Sequence, residues 1–235
     1  MQRYFAKEKK DNLFLLKEED LYHIRVVMRM KDHDQIIVVY DEKAYLCNLE
    51  DVSSNIQVII ESELPQTIEN IPYIRIIIPV LKEQKLDYIF QKATELGVSE
   101  FVLYEAKRSV VKVNNINKKL VRWEKIVKEA SEQSHRNTIP KIVGVQKIEM
   151  LEKIDGVKFL CSTREKSENI KNALKMSKTC DKINVVIGPE GGLDEKEENK
   201  LVDMNFLPIT LGNRIMRVET VPLFIMSVIN YEYME

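Results

Sequence analysis

From Tyr73 onward the chain alternates short apolar runs with stretches whose apolar residues recur every three or four positions, and few folds accept that alternation. Short apolar runs between polar or glycine punctuation read as buried strands, and the longer periodic stretches read as helices. Strand-like runs occupy Tyr73–Leu81, Phe101–Tyr104, Val157–Cys161, Ile183–Ile187 and Leu207–Leu211. Residues 84–96 place Leu86, Ile89, Phe90, Ala93 and Leu96 on one helical stripe, with Gly97 at the C′ position. Asn117–His135 carries Leu120, Trp123, Ile126, Val127 and Ala130 on a second stripe, which assigns Trp123 to the core. Shorter helices are expected at Glu168–Met176 and Glu195–Met204, and a last one near Pro222, whose ring suits a first helical turn. Alternation of this kind predicts an α/β fold: a mostly parallel sheet with helices on both faces.

Residues 1–70 follow a different rule. Apolar runs at Leu13–Leu16, Ile36–Tyr40, Ala44–Leu49 and Ile56–Ile60 are separated by polar turns such as Lys31-Asp32-His33-Asp34. That spacing suggests a small β-barrel or sandwich. A helical turn or two is expected within Lys17–Arg29, where Leu21, Ile24, Val27 and Met28 share a face. Pro65–Pro72 reads as a linker, because its two prolines disfavour continuation of helix or strand. Two domains result, 1–70 and 73–235.

Glycine marks the place to look for chemistry. Four of the seven glycines fall between residues 188 and 212, each group directly after an apolar run. Glycine there permits tight loops and close backbone approach, and ligands of open α/β sheets sit outside the carboxyl ends of strands. Gly188-Pro189-Glu190-Gly191-Gly192 is neither G-x-G-x-x-G nor followed by G-K-[ST], so dinucleotide and P-loop readings both fail. Glu190 inside the loop would repel a triphosphate but could accept from a cationic or hydroxyl-bearing ligand. In the second loop, Leu211 to Thr220, Ile215 and Met216 are apolar, as a wall for a flat ring would be.

Composition excludes some classes. No apolar run approaches membrane-spanning length. The start, Met1-Gln2-Arg3-Tyr4-Phe5-Ala6-Lys7, lacks the apolar segment of a secretory signal, so cytoplasmic residence is the default expectation. Cys47, Cys161 and Cys180 form no C-x-x-C pair, and His23, His33 and His135 have no ligand-like spacing, so no metal is expected. Net charge is −1, yet Lys107–Lys141 holds ten Lys or Arg against three Asp or Glu. Such a stretch is either a polyanion-binding face or a solvated helix.

The two loops taken together resemble a known family. Ile187 to Gly192 paired with Leu211-Gly212-Asn213-Arg214-Ile215-Met216-Arg217-Val218-Glu219-Thr220 is similar to the RsmE family of 16S ribosomal RNA (uracil-N3)-methyltransferases, in the SPOUT superfamily. Gln91-Lys92-Ala93-Thr94-Glu95-Leu96-Gly97-Val98, Arg108-Ser109, Arg122-Trp123, Glu129 to Arg136 and Arg3-Tyr4-Phe5 extend the likeness along the chain in the family's order. Met216, Val218 and Val221 stand where the family usually has Leu, Thr and Ala, and Pro222 is unusual after the motif.

The resemblance implies an N-terminal PUA-like β-barrel that binds RNA, a SPOUT α/β domain with a C-terminal trefoil knot, and a homodimer. It implies S-adenosyl-L-methionine as cofactor, held by Leu160, Cys161, Ser162, Ile187, Gly188, Pro189, Glu190, Gly191, Gly192, Leu211, Gly212, Ile215, Met216 and Arg217. Arg217 is expected to steady charge on the acceptor and Glu219 to hold Arg217 or relay a proton. Lys92 and Glu95, three apart on a helix, share a face near the acceptor or form a surface pair. RNA contacts are expected from Arg3, Tyr4, Phe5, Lys85, Arg108, Lys112, Arg122, Gln133 and Arg136. The expected partner is 16S rRNA within the 30S subunit. A retired RNA-binding assembly factor and a SPOUT ribose 2′-O-methyltransferase are the alternatives.

Overall fold

The computed structural model describes residues 1–65, 72–109, 111, 116–177 and 179–233, without the side chains of 116–118. Most of the proposed linker and Lys112 therefore lie outside the described residues. The chain divides into two compact units, Met1–Glu69 with Ser131–Thr138, and Asn70–Ala130 with Ile139–Glu235.

The first unit is built on a six-stranded sheet of β1 (Arg3–Phe5), β2 (Glu8–Lys10), β3 (Leu13–Leu15), β4 (Gln35–Tyr40), β5 (Lys43–Glu50) and β6 (Gln57–Glu63). Their order is β1-β4-β5-β6-β3-β2, antiparallel except for β1 on β4. The edge strands β1 and β2 are joined by Ala6 and Lys7 alone, which brings the two edges of the sheet together at one corner. Tyr4, Phe14, Ile36, Val38, Cys47, Leu49 and Val58 pack as its core. Neither β1 nor β2 is legible as an apolar run: each has three residues, and Glu8-Lys9-Lys10 is wholly exposed.

The expected helical turns are α1 (Glu18–Tyr22) and a wide π-turn, His23–Val27, closed by the Met28 N–H on the His23 carbonyl at 2.9 Å. The wider turn breaks the 3.6-residue stripe. Ile24 alone is fully buried, whereas Val27 and Met28, expected on the same face, point to solvent.

In the second unit β7 (Tyr73–Pro79), β8 (Glu100–Tyr104), β9 (Lys141–Gln146), β10 (Val157–Cys161), β11 (Lys182–Val186) and β12 (Leu207–Ile209) form one sheet. Its order is β12-β10-β11-β7-β8-β9 and every pairing is parallel. β9 goes unread in the sequence, where Gly144 interrupts a short edge run. Connecting helices are α2 (Glu83–Glu95), α3 (Ile116–Gln133), α4 (Ile170–Met176), α5 (Glu195–Asp203) and α6 (Thr220–Tyr233). α4 starts two residues later than expected, because the Asn169 side chain caps it by accepting from the Asn172 N–H.

Alternation along the strands sorts side chains to two faces. Ile74, Ile76 and Ile78 of β7, Phe101 and Leu103 of β8, and Ile183 and Val185 of β11 pack with α2, α3, α4 and α6. Ile77, Val102, Tyr104, Leu160 and Val186 turn the other way, onto α5 and the 3₁₀ turn Ile148–Lys153. Trp123 belongs to the first face, as its helical stripe requires. Its indole donates to Asp87 Oδ1 at 3.1 Å, and its ring lies 5.3 Å from that of Phe90, which meets Phe101 edge-on at 4.9 Å. Deleting a buried aromatic ring loses both transfer energy and packing. Phe90→Ala should therefore destabilise the protein by about 3–5 kcal/mol in urea denaturation.

Candidate active site

β12, β10 and β11 are neighbours and run parallel, so their carboxyl ends lie side by side. The loops leaving them, 162–169, 187–194 and 210–219, share one cleft of about 630 Å³. Cys161, Ser162, Ile187, Gly188, Pro189, Glu190, Gly191, Gly192, Leu211, Gly212, Ile215, Met216, Arg217 and Glu219 all line it. Leu160 does not: the pleat turns it to the opposite face, into the core under α5. Lys92 and Glu95 are also absent from the described lining, and pair with each other instead at 2.9 Å.

Each loop is held by identifiable bonds. Tyr104, kept protonated by burial, donates its hydroxyl to the Ile187 carbonyl at 2.8 Å and so fixes the point where the glycine turn begins. The Gly192 N–H closes that turn on the Pro189 carbonyl at 2.8 Å. A Cβ at Gly188 would stand 3.2 Å from Leu193 Cγ and 3.3 Å from its nitrogen, a tight fit that Leu193 would have to relax to accept. Arg108, expected on RNA, instead donates to the Gly191 carbonyl at 3.1 Å and buttresses the turn. Asp194 then starts α5 with a reciprocal capping box to Glu197.

α5 in turn presents Glu198, whose carboxylate accepts from Ser162 Oγ and, at 2.9 Å, from Arg164. Next to it, Glu165 gathers the hydroxyl of Ser167 and the backbone N–H groups of residues 166–168. The Ser167 hydroxyl, then the backbone donors, hold its carboxyl down at about 2. In the third loop Gly212 has φ 108, a conformation that side chains rarely accept. The Arg217 carbonyl receives the N–H groups of Thr220 and Val221, which begins α6. Val218 and Val221, which depart from the usual family residues, are buried in the core and line the floor of the cleft with apolar surface. Pro222 is the third residue of α6, in its first turn, where the fixed φ of proline suits the helix.

Six basic side chains and three carboxylates line the cleft, an excess that favours a polyanion or a developing anion. Lys85 binds both Glu219, at 2.9 Å, and Glu190, at 3.2 Å. Although burial pushes the Glu219 carboxyl up, the Lys85 hydrogen bond, its own backbone and the charges of Lys85 and Arg217 hold it below its ordinary value. Arg214 and Arg217, both exposed, have no hydrogen bond or ion pair among the described residues. Burial pushes the half-exposed Cys161 thiol up to about 12, so it stays a neutral wall group.

Several expected RNA contacts are committed elsewhere. In the first unit the Tyr4 ring is 2% exposed and its hydroxyl bonds His23 Nδ1 at 2.9 Å, which leaves no face for stacking. Arg3 Nη1 donates to the carbonyls of His135 and Arg136 and to Asn137 Oδ1, bracing the turn after α3. Arg136 is itself 6% exposed, Phe5 is half-buried, and Gln133 remains open to solvent. In the second unit Arg122 is ion-paired with Glu83 at 2.8 Å and Asp87 at 2.5 Å, and Lys107 with Asp194 at 3.1 Å. On α3 itself Lys119 and Lys125 also face carboxylates, Glu83 at 3.8 Å and Glu129 at 3.8 Å. Sequence reasoning missed Arg164, Lys166 and Glu198; their only signal was position, after one strand and on the helix that covers it. Among the described residues no three His, Cys, Asp or Glu side chains cluster as metal ligands, and no helix is long and apolar enough to cross a membrane.

Known proteins share both the sequence and this geometry. The model of an RNA methyltransferase domain matches residues 69–230. Ribosomal RNA small subunit methyltransferase E of Bacillus subtilis is 35% identical over 250 residues, covering 99% of this chain and 97% of that protein. The Mesomycoplasma hyopneumoniae protein of the same name is 32% identical, covering 97% and 98%. A crystal structure of ribosomal RNA small subunit methyltransferase E from Neisseria gonorrhoeae, bound to S-adenosyl methionine, superposes with a TM-score of 0.88 at 27% identity, over 99% of this chain and 98% of that one. With sequence likeness and fold agreeing from end to end, the chain belongs to the ribosomal RNA small subunit methyltransferase E family.

Proposed function

We propose that this protein transfers a methyl group from S-adenosylmethionine to N3 of a uridine in the 16S rRNA of the small ribosomal subunit. One observation carries the reading: the glycine turn 188–192 and the loop 211–217 line the same cleft, with Arg217 uncommitted beside them. The cleft suits the cofactor. Ile215 is 78% exposed in its wall, an apolar surface that an adenine ring would cover. No heavy atom lies within 4 Å of where a Cβ would stand on Gly192 or Gly212, so bare backbone is open to the ligand there. Leu211 and Met216 complete the apolar wall.

When bound, the cofactor supplies an already activated methyl group. The protein's task is then the acceptor. N3–H of uracil is a weak acid, and losing its proton leaves negative charge on the flanking carbonyl oxygens. Arg217 offers an uncommitted cation for that charge. Glu219, ionised beside Lys85, provides a carboxylate at the same end of the cleft. N3 lies on the pairing edge of the base, so the uridine must be unstacked to enter. Arg214, uncommitted among the described residues, supplies a positive rim for the adjoining phosphate. Lys92 and Glu95 have no part in this scheme.

The finer architecture belongs to the same reading. The meeting of edges at the β1–β2 corner supports a PUA-like barrel that engages RNA. A C-terminal trefoil knot is adopted from the family, with the parallel bridge of Thr210 to Asn169 holding the two loops side by side. The family's homodimer is adopted with it.

Three outcomes test the assignment. Saturating S-adenosylmethionine, at a hundred times its Kd, should stabilise the protein by about 2.7 kcal/mol and raise the melting midpoint; an unchanged melt would favour a retired assembly factor. Labelled cofactor with 30S particles or naked 16S rRNA should mark one uridine, and mass spectrometry of the digest should place the methyl on the base; a ribose methyl would point to 2′-O transfer. Arg217→Ala should slow single-turnover transfer by roughly a hundredfold or more while calorimetric cofactor affinity stays within a few-fold.

A further inference from the structure

We propose that Lys85 is a positioning residue: its ammonium clips the glycine turn to the Glu219 turn and, by taking Glu219 as partner, leaves Arg217 free for the substrate. This deepens the methyltransferase reading and rests on it.

Lys85 lies in the first turn of α2, beside Leu86, which is packed in the core, so its stem springs from a fixed base. Its Nζ reaches Glu190 Oε1 at 3.2 Å and Glu219 Oε2 at 2.9 Å. These carboxylates come from two separate loops, one after β11 and one after β12. An ammonium has three donors and no acceptor, so one lysine can hold both. Without it the two carboxylates would face each other within about 6 Å, close enough for like charges to disfavour one another.

The second consequence concerns Arg217. It stands two residues from Glu219, the nearest carboxylate in sequence, yet its guanidinium makes no ion pair among the described residues. Glu219 is occupied by Lys85. Removing the ammonium would leave Glu219 seeking a cation, with Arg217 in reach. A phosphate contact, the role expected for Lys85 from sequence, would need an ammonium not already shared by two carboxylates.

The charge states agree with a clip that is closed at neutral pH. The contact with Glu219, then that with Glu190, raises Lys85 above its ordinary value although burial works against it. Glu219 is held low as described. The pair is therefore lost only as pH falls through the depressed carboxyl value or rises through the raised ammonium value. In Lys85→Met, Glu219 keeps its burial and loses its strongest hydrogen bond, so its pKa climbs and the acid limb of kcat/KM moves to higher pH.

The test uses the full-length protein with rRNA as acceptor. Lys85→Met should weaken S-adenosylmethionine binding about five- to tenfold, lower kcat, and shift the acid limb upward. Lys85→Arg, which keeps the charge, should recover the acid limb. Lys85→Met combined with Glu219→Gln should be no slower than Glu219→Gln alone, since Lys85 acts through that carboxylate. Lys85→Met that changes only KM for RNA and its salt dependence, with cofactor affinity and pH profile intact, overturns the positioning role and makes Lys85 a phosphate contact. Lys85→Gln, nearly isosteric, guards against loss of fold in Lys85→Met. Wild-type protein that takes up no cofactor would overturn the methyltransferase reading itself, a result visible before any variant is made.

Discussion

Parallel pairing obliges neighbouring strands to leave their carboxyl ends on one edge of a sheet. In this protein three such neighbours, β12, β10 and β11, deliver loops that are far apart in sequence to a single cleft. Nothing else brings Ser162, Gly188 and Arg217 together. The pleat also decides which residue at each strand end can serve: Cys161 faces the cleft, while Leu160, one position earlier, is core. A site built this way tolerates little slippage, because a one-residue shift of register would exchange those two roles.

Much of each loop is tied down by its own polar contacts. Tyr104 and Arg108 hold the carbonyls of the glycine turn, Glu198 and Glu165 organise the loop after β10, and Lys85 joins Glu190 to Glu219. Preorganised dipoles and charges are what transfer chemistry in a partly closed cleft requires. Most of the cations near the site serve this scaffolding. Within the basic stretch 107–141, Lys107, Arg108 and Arg122 each answer a carboxylate or a carbonyl. Arg214 and Arg217 stand apart from this pattern, and both line the cleft.

Periodicity made most of the second unit legible. Its helices could be placed because one face of each is apolar, five of its strands because they are short apolar runs, most of them buried on both faces, and the core side of α2 and α3 followed from spacing alone. The edge strand β9 escaped, since an edge needs less burial and carries a glycine. β1 and β2 escaped because three residues show no period. The π-turn defeated the helical stripe at Val27 and Met28, as a local change in winding leaves no mark in composition. Glycine grouping located the site, since left-handed conformations such as those of Gly192 and Gly212 are ones that other side chains rarely adopt.

By itself, then, the sequence determined the secondary structure that rests on apolar spacing, the two glycine loops, and the family. Tertiary structure decided which charges are free. Arg3, Tyr4, Arg108, Arg122 and Arg136 all look available for RNA in one dimension, yet each has its partner or its burial supplied by residues distant in the chain. The reason is physical: backbone and apolar preferences act over a few residues, whereas the partner of a long charged side chain depends on which strands and helices become neighbours. The joining of Lys85 to Glu190 and Glu219, across more than a hundred residues, is of that second kind.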